Sequence, residues 1–160
     1  MQTVKLYRKF YPALMLLCKR FFKDDHEALE VLNDGMMKVY KNIRAYDHSK
    51  GEFFNWVYTV VRNTALDKLK RSKIPMAVSI DNSKEPGNEP DPLQSLEWKD
   101  VYKLLDCLPP ATRAICSLFY LEGFSVKDVS ESLEISLGTV KWHLSETRKK
   151  LKPVLAKHFL

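Results

Sequence analysis

The densest base-reading chemistry in this sequence lies near its C-terminal end. Thr139, Lys141, Trp142, His143, Ser145, Glu146 and Lys149 surround the outer faces of a helix whose other face carries Val140, Leu144, Thr147 and Leu151 at spacings 4, 3, 4. A helix fits the major groove, where lysine can pair with guanine, a carboxylate with the cytosine amino group, and hydroxyls with several bases. Ser136 is placed to cap that helix and aim its N-terminus at a phosphate. Upstream, Ser125 and Asp128 resemble a capping box opening a short helix to Leu133, and Glu134, Ile135 and Ser136 form a tight connection. Short helix, three-residue turn, longer helix is the helix-turn-helix plan. On patterning alone, a helical hairpin with a solvated lysine-rich end remains open.

A second constellation lies between residues 53 and 73. Phe53 and Trp56 precede a basic stretch in which Arg62, Lys68, Lys70, Arg71 and Lys73 are set against Asp67 alone. Unstacked bases gain roughly 1 to 3 kcal/mol each from aromatic platforms, while cations follow the phosphates. Phe53 and Trp56 equally suit a core. A third candidate is Asn33 beside Asp34, an amide and a carboxylate able to engage a partner's arginines, or else a solvated stripe. Cys18, Cys107 and Cys116 contain no CxxC pair, and His26, His48, His143 and His158 lack ligand spacing, so no disulfide framework, metal or other cofactor is expected. No glycine-rich phosphate loop, paired carboxylates with metal-site spacing or nucleophile elbow is present, and an enzyme is not expected.

The elements that must position these residues are helices. Five glycines are few for an all-β chain, and apolar residues recur at three- and four-residue spacing, which predicts an all-α protein. Val4, Tyr7, Tyr11, Leu14, Cys18 and Phe21 form one stripe, with a break expected at Pro12. Asp24 and Asp25 offer a cap to a helix bearing Ala28, Val31, Leu32, Gly35, Met36, Val39 and Ile43; Phe53, Trp56, Val57, Val60, Val61 and Thr64 repeat the pattern. This block is expected to be a bundle of about four helices. Trp98, Val101, Tyr102, Leu105 and Leu108 describe a further helix ended by Pro109 and Pro110, with another restarting over residues 111–120. Between the blocks, Pro75, Pro86, Pro90 and Pro92 with Asn82, Ser83, Gly87 and Asn88 read as a linker. The expected division is therefore 1–74, 75–96 and 97–160. Basic residues outnumber acidic ones fifteen to eight in the first part and ten to eight in the third, while the linker is acidic, one to four. The net charge of +6 favours an acidic partner such as nucleic acid. No run of eighteen apolar residues or signal cleavage site is seen, so a cytoplasmic protein without membrane insertion is expected.

The motifs carry a resemblance beyond these readings. Leu105-Asp-Cys-Leu-Pro-Pro-Ala-Thr-Arg113 resembles the "L..LP...R" opening of region 4 of bacterial sigma factors, and Ser125–Leu151 resembles the helix-turn-helix of that region. Ala28–Tyr40 is similar to the "AEDLVQEVFLRVW" helix of region 2 in the extracytoplasmic-function (ECF) group, with Asn33 and Asp34 at its Gln-Glu pair. Residues 53–71 resemble its "F..WL..IA.N...D..R" stretch. The resemblance implies an N-terminal helical bundle and a C-terminal helix-turn-helix domain that bind core RNA polymerase and direct promoter recognition, DNA opening and transcription initiation. It implies that Asn33, Asp34, Met37 and Lys38 meet the β′ clamp helices. Trp56, Arg62, Asn63, Asp67, Lys70 and Arg71 would meet the minus-ten element; Ser136, Thr139, Lys141, Trp142, His143, Ser145, Glu146 and Lys149 would meet the minus-thirty-five element. The β flap is a further expected contact, an anti-sigma factor a further expected partner, and the acidic linker is expected to thread the RNA exit path. Four departures stand out. Glu134 sits where the family often has glycine, Trp142-His143 replaces a frequent Ser-Arg pair, Glu146 replaces a frequent arginine, and Lys70 stands at the family's arginine three residues after Asp67, with Arg71 next to it. A stand-alone regulator is the other reading, since "TVKWHLS" also resembles response-regulator recognition helices.

Overall fold

The computed structural model describes residues 2–72, 91, 93 and 96–158, all of them helix, turn or coil. They belong to two compact units that divide between Ser72 and Lys73. The expected linker, 75–96, lies outside the described residues except for Asp91, Leu93 and Leu96.

The first unit is built from α1 (Gln2–Phe21), α2 (Asp25–Lys41) and α3 (Phe53–Arg71), with two 3-10 turns, Ile43–Ala45 and His48–Lys50, between α2 and α3. The expected break at Pro12 does not occur, so three long helices stand where about four were expected. Proline inside a helix costs about 3 kcal/mol through its missing N–H and ring clash. Here Pro12 and Arg8 are both exposed, where water can reach the carbonyl left without an amide. Leu14, Leu17, Cys18 and Phe21, each at most 2% exposed, hold the helix to the core beyond it.

In α2 the expected stripe is buried from Ala28 through Val39, but Ile43 is exposed in the following turn. Asp24 caps the helix, accepting from the amides of His26 (2.7 Å) and Glu27 (3.4 Å). Gly35 is where α2 meets α3: a Cβ there would lie 3.0 Å from both Cα and Cγ2 of Val61. The buried face of α3 is Val57, Val61, Thr64, Ala65, Leu66 and Leu69, whereas Phe53, Trp56 and Val60 are only half-buried at its edge.

The second unit contains α4 (Trp98–Leu105), α5 (Pro110–Cys116) with a π-helical continuation (Ser117–Leu121), α6 (Val126–Leu133) and α7 (Leu137–His158). Pro110 occupies the first turn of α5, where its missing N–H costs nothing. Arg113, 2% exposed, reaches back to Asp106 at the end of α4 with Nη1–Oδ1 of 2.7 Å. That pair gives the "LP...R" spacing a structural reason: it ties α5 to the turn before it. Leu93, 3% exposed, packs with Val101, Leu104, Leu105, Leu108, Cys116 and Leu151, so the second unit begins before residue 97.

The Ser125–Asp128 capping box is complete in both directions, at 3.0 and 3.1 Å. Hydrogen bonds from the Ser125 amide and the Ser125 hydroxyl hold the Asp128 carboxyl below the usual range. The turn after α6 places Glu134 at φ 56°, ψ 46°, the left-handed conformation that glycine tolerates without cost. The turn thus keeps a glycine-like geometry, with glutamate bearing the strain. Glu134→Gly is expected to raise the stability of the second unit by about 0.5–1 kcal/mol, read as an increase in its denaturation midpoint.

Burial also sorts the cysteines. It pushes the thiols of Cys18 and Cys116 up to about 12, while Cys107 is exposed. A thiol reagent at neutral pH is expected to label one cysteine in the native chain and three after denaturation; fast labelling of a second native thiol would contradict this packing.

Candidate nucleic-acid interface

In the second unit α6 and α7 form the helix-turn-helix. Ser136 caps α7: its Oγ accepts from the amide of Thr139 at 3.1 Å and bonds the Thr139 hydroxyl at 2.8 Å. Val140, Leu144, Thr147 and Leu151 are completely buried against the earlier helices, as their spacing predicts. Lys141, Trp142, Ser145 and Glu146 are half-exposed and Lys149 is exposed, so these five remain on the outer side. Glu146 and Lys149 form an ion pair there at 3.5 Å.

Two expected outer-face residues are not outside. Thr139 and His143 are each 3% exposed. Thr139 completes the cap, and His143 bonds through Nδ1 to the Thr112 hydroxyl of α5 at 2.8 Å. A seven-residue outer face was too wide for a helix packed on several elements; His143 lies one turn before the buried Thr147, whose hydroxyl donates to the His143 carbonyl at 2.9 Å. Arg148 is likewise tied down, through a hydrogen bond with Tyr120.

In the first unit Asn33, Asp34 and Met37 are exposed on α2, Met37 to 54%, and Lys38 is half-exposed beside them. The Tyr7 hydroxyl donates to Asn33 Oδ1 at 2.8 Å, fixing the amide. Lys38 reaches across to Asp67 of α3 at 3.7 Å, Lys70 meets the same carboxylate at 3.6 Å, and Arg71 Nε donates to the Asp67 carbonyl at 3.3 Å. The residues expected on the polymerase side and those expected on the DNA side therefore meet at Asp67. Asn63 is exposed and Arg62 half-buried on the same helix.

Trp56 stands at the other end of α3 in an aromatic group with Phe53 (5.9 Å, stacked) and Tyr46 (5.7 Å). Beside it opens a cleft of about 350 Å³ lined by Tyr46, Asp47, Lys50, Asn55, Trp56 and Thr59 among others. The loop that forms its wall is held by Tyr46 Oη donating to the Gly51 carbonyl at 2.6 Å, and Gly51 has φ 139°. The Ser49 hydroxyl and amide hold the Asp47 carboxyl below its ordinary range, leaving it a charged acceptor at neutral pH. Aromatic side chains lining a cleft together with a carboxylate, an amide and an ammonium can take a single unstacked base and discriminate its edge. Of these residues only Trp56 was expected. Tyr46, Asp47 and Lys50 lie in a segment without periodicity, where the Asp47-His-Ser turn pattern and Gly51 are the available signals, and Asn55 and Thr59 lie on α3 off its apolar stripe.

Comparison with known proteins places this geometry. A family model described as Sigma-70 region 2 matches residues 6–74, and one described as Sigma-70, region 4 matches residues 98–151. ECF RNA polymerase sigma factor SigM of Bacillus subtilis is 31% identical over 81% of this chain and 80% of its own. The chain belongs to the ECF RNA polymerase sigma factors. The three-helix unit is accordingly sigma region 2, and the unit ending in α7 is region 4. ECF RNA polymerase sigma factor SigE of Mycolicibacterium smegmatis is 29% identical over 96% of this chain, which spans 62% of the length of that relative. A solved structure of the sigma factor RpoE in complex with the anti-sigma factor NepR from Bartonella quintana shares the fold: TM-score 0.51, 20% identity, 95% of each chain covered.

Proposed function

We propose that this chain binds core RNA polymerase and directs it to promoters as an alternative sigma factor. The α2 face with Asn33, Asp34, Met37 and Lys38 docks on the β′ clamp helices. Region 2 opens the minus-ten element, with Trp56 and the cleft receiving an unstacked base while Arg62, Asn63, Asp67, Lys70 and Arg71 follow the strand. Region 4 reads the minus-thirty-five element through Lys141, Trp142, Ser145, Glu146 and Lys149, with the Ser136 cap towards phosphate, and meets the β flap. The reading rests on one observation: a single chain pairs an aromatic cleft beside a basic helix with a helix-turn-helix presenting a polar outer face. The first suits single strands and the second suits duplex.

The proposed division has region 2 in residues 1–74 and region 4 in 97–160, with the region 4 core extended back to Leu93 in the expected 75–96 linker. Joining two modest DNA sites on one chain raises the effective concentration of the second, so promoter selection depends on both. An anti-sigma partner is part of the proposal; the Bartonella structure named above contains one. So is a cytoplasmic site of action without catalysis; among the described residues no helix is long and apolar enough to cross a membrane.

The test is co-purification of the chain with bacterial core polymerase, followed by transcription from genomic fragments. Asp34→Ala is expected to lower core affinity about tenfold with the bundle intact. Lys141→Ala is expected to lower promoter use about tenfold with core binding unchanged. Loss of both properties in either variant would overturn the assignment of that residue, and absence of core binding by the folded wild type would overturn the function.

A further inference from the structure

Leu137 is the first residue of α7 and is 48% exposed, although the aliphatic residues that follow it at helical spacing face inward: Val140, Leu144 and Leu151 are completely buried. Neither packing nor helix initiation explains a leucine there. Its side chain contributes little to the core, and the first turn of a helix favours acidic residues, of which α7 has none. Leu137 lies on the outer side one turn before Lys141, as residues four apart on a helix are neighbours.

On the floor of the major groove the exposed apolar group is the C5 methyl of thymine; the other groups presented there are hydrogen-bond donors and acceptors. In helix-turn-helix docking the N-terminal residues of the second helix reach the base edges. An exposed leucine at that position finds its complement in a methyl group and would leave a polar edge unsatisfied. We propose that Leu137 is a specificity-determining residue that reads the methyl of a thymine in the minus-thirty-five element. The proposal deepens the reading of α7 as the recognition helix and rests on it. The four residues from Leu137 to Lys141 advance about 6 Å along the helix, and base pairs rise about 3.4 Å. The thymine therefore lies within about two base pairs of the base contacted by Lys141. The Ser136–Thr139 cap holds Leu137 in place, because it fixes the backbone on both sides of it.

The experiment uses holoenzyme made from the full chain and core polymerase on a promoter identified by transcription. Each thymine of the minus-thirty-five element is replaced in turn by deoxyuridine, which removes the methyl and keeps the pairing. At one position the wild type is expected to lose roughly three- to tenfold in half-saturating concentration, the worth of one or two buried methyl-sized contacts. Leu137→Ala is expected to lose a similar factor on the thymine promoter and to make no distinction between thymine and uracil. The exposed position makes misfolding of this variant unimportant, and an unchanged denaturation midpoint checks it. Retained discrimination in Leu137→Ala, its disappearance in Trp142→Ala instead, or no sensitive thymine at all would overturn the proposal. If Lys141→Ala still impairs the same promoter, only the role of Leu137 falls; if Lys141→Ala also has no effect, the reading of α7 as the recognition helix falls with it.

Discussion

Trp56→Ala is expected to slow promoter opening by roughly five- to 150-fold, the equivalent of the 1 to 3 kcal/mol that aromatic stacking contributes per base. Binding to core is expected to stay at the wild-type level, because Asn33, Asp34 and Met37 stand on the exposed side of a different helix. The measurement is permanganate reactivity of promoter thymines over time, compared with transcription from a template already mismatched across the minus-ten element. On the mismatched template the defect shrinks if Trp56 acts in capturing a base. Trp56→Phe keeps a ring against Phe53 and Tyr46 and is expected to retain most of the rate. Equal opening by wild type and Trp56→Ala would remove the tryptophan from the cleft's function and leave it as the half-buried edge of α3.

His143→Ala is expected to destabilise the second unit by about 2–4 kcal/mol, since it empties a packed site and orphans the buried Thr112 hydroxyl. The histidine is 3% exposed and bonds Thr112 at 2.8 Å, joining α5 to α7. Denaturant unfolding in a Trp56→Phe background reports only this unit, through Trp98 and Trp142. Promoter use would decline together with the folded fraction. Lys141→Ala, on the outer side, should weaken promoter use without moving the midpoint. A His143→Ala protein of wild-type stability that fails at promoters would reinstate the residue as a DNA contact.

These two residues mark where sequence reading succeeds and stops. The α2 stripe is recovered nearly complete because that helix packs one face on its neighbours, and periodicity reports one-sided burial well. The Ser125–Asp128 box is recovered because capping is local chemistry encoded within four residues. Pro12 was misjudged because a local propensity lost to tertiary burial of Leu14, Leu17 and Cys18. Thr139 and His143 were placed outside because periodicity gives the centre of a buried face but not its width, which depends on how many elements pack around α7. The cleft was largely invisible. Tyr46, Asp47 and Asn55 come from a turn and a helix start, and only tertiary structure brings them to Trp56.

The approach of Gly35 to Val61 leaves α2 and α3 no clearance to slide. Two ion pairs, Lys38 with Asp67 and Glu30 with Lys68, lie across the same seam. In the proposed complex the pair behaves as a gauge block without a joint. One arm is seated by the polymerase, and the position of the other, with its cleft, follows from that seating. Errors in docking would then be copied onto the promoter undiminished, so the tolerance for promoter melting is set at the protein–protein contact, and a side chain added at residue 35 would act as a shim that misaligns DNA it never touches.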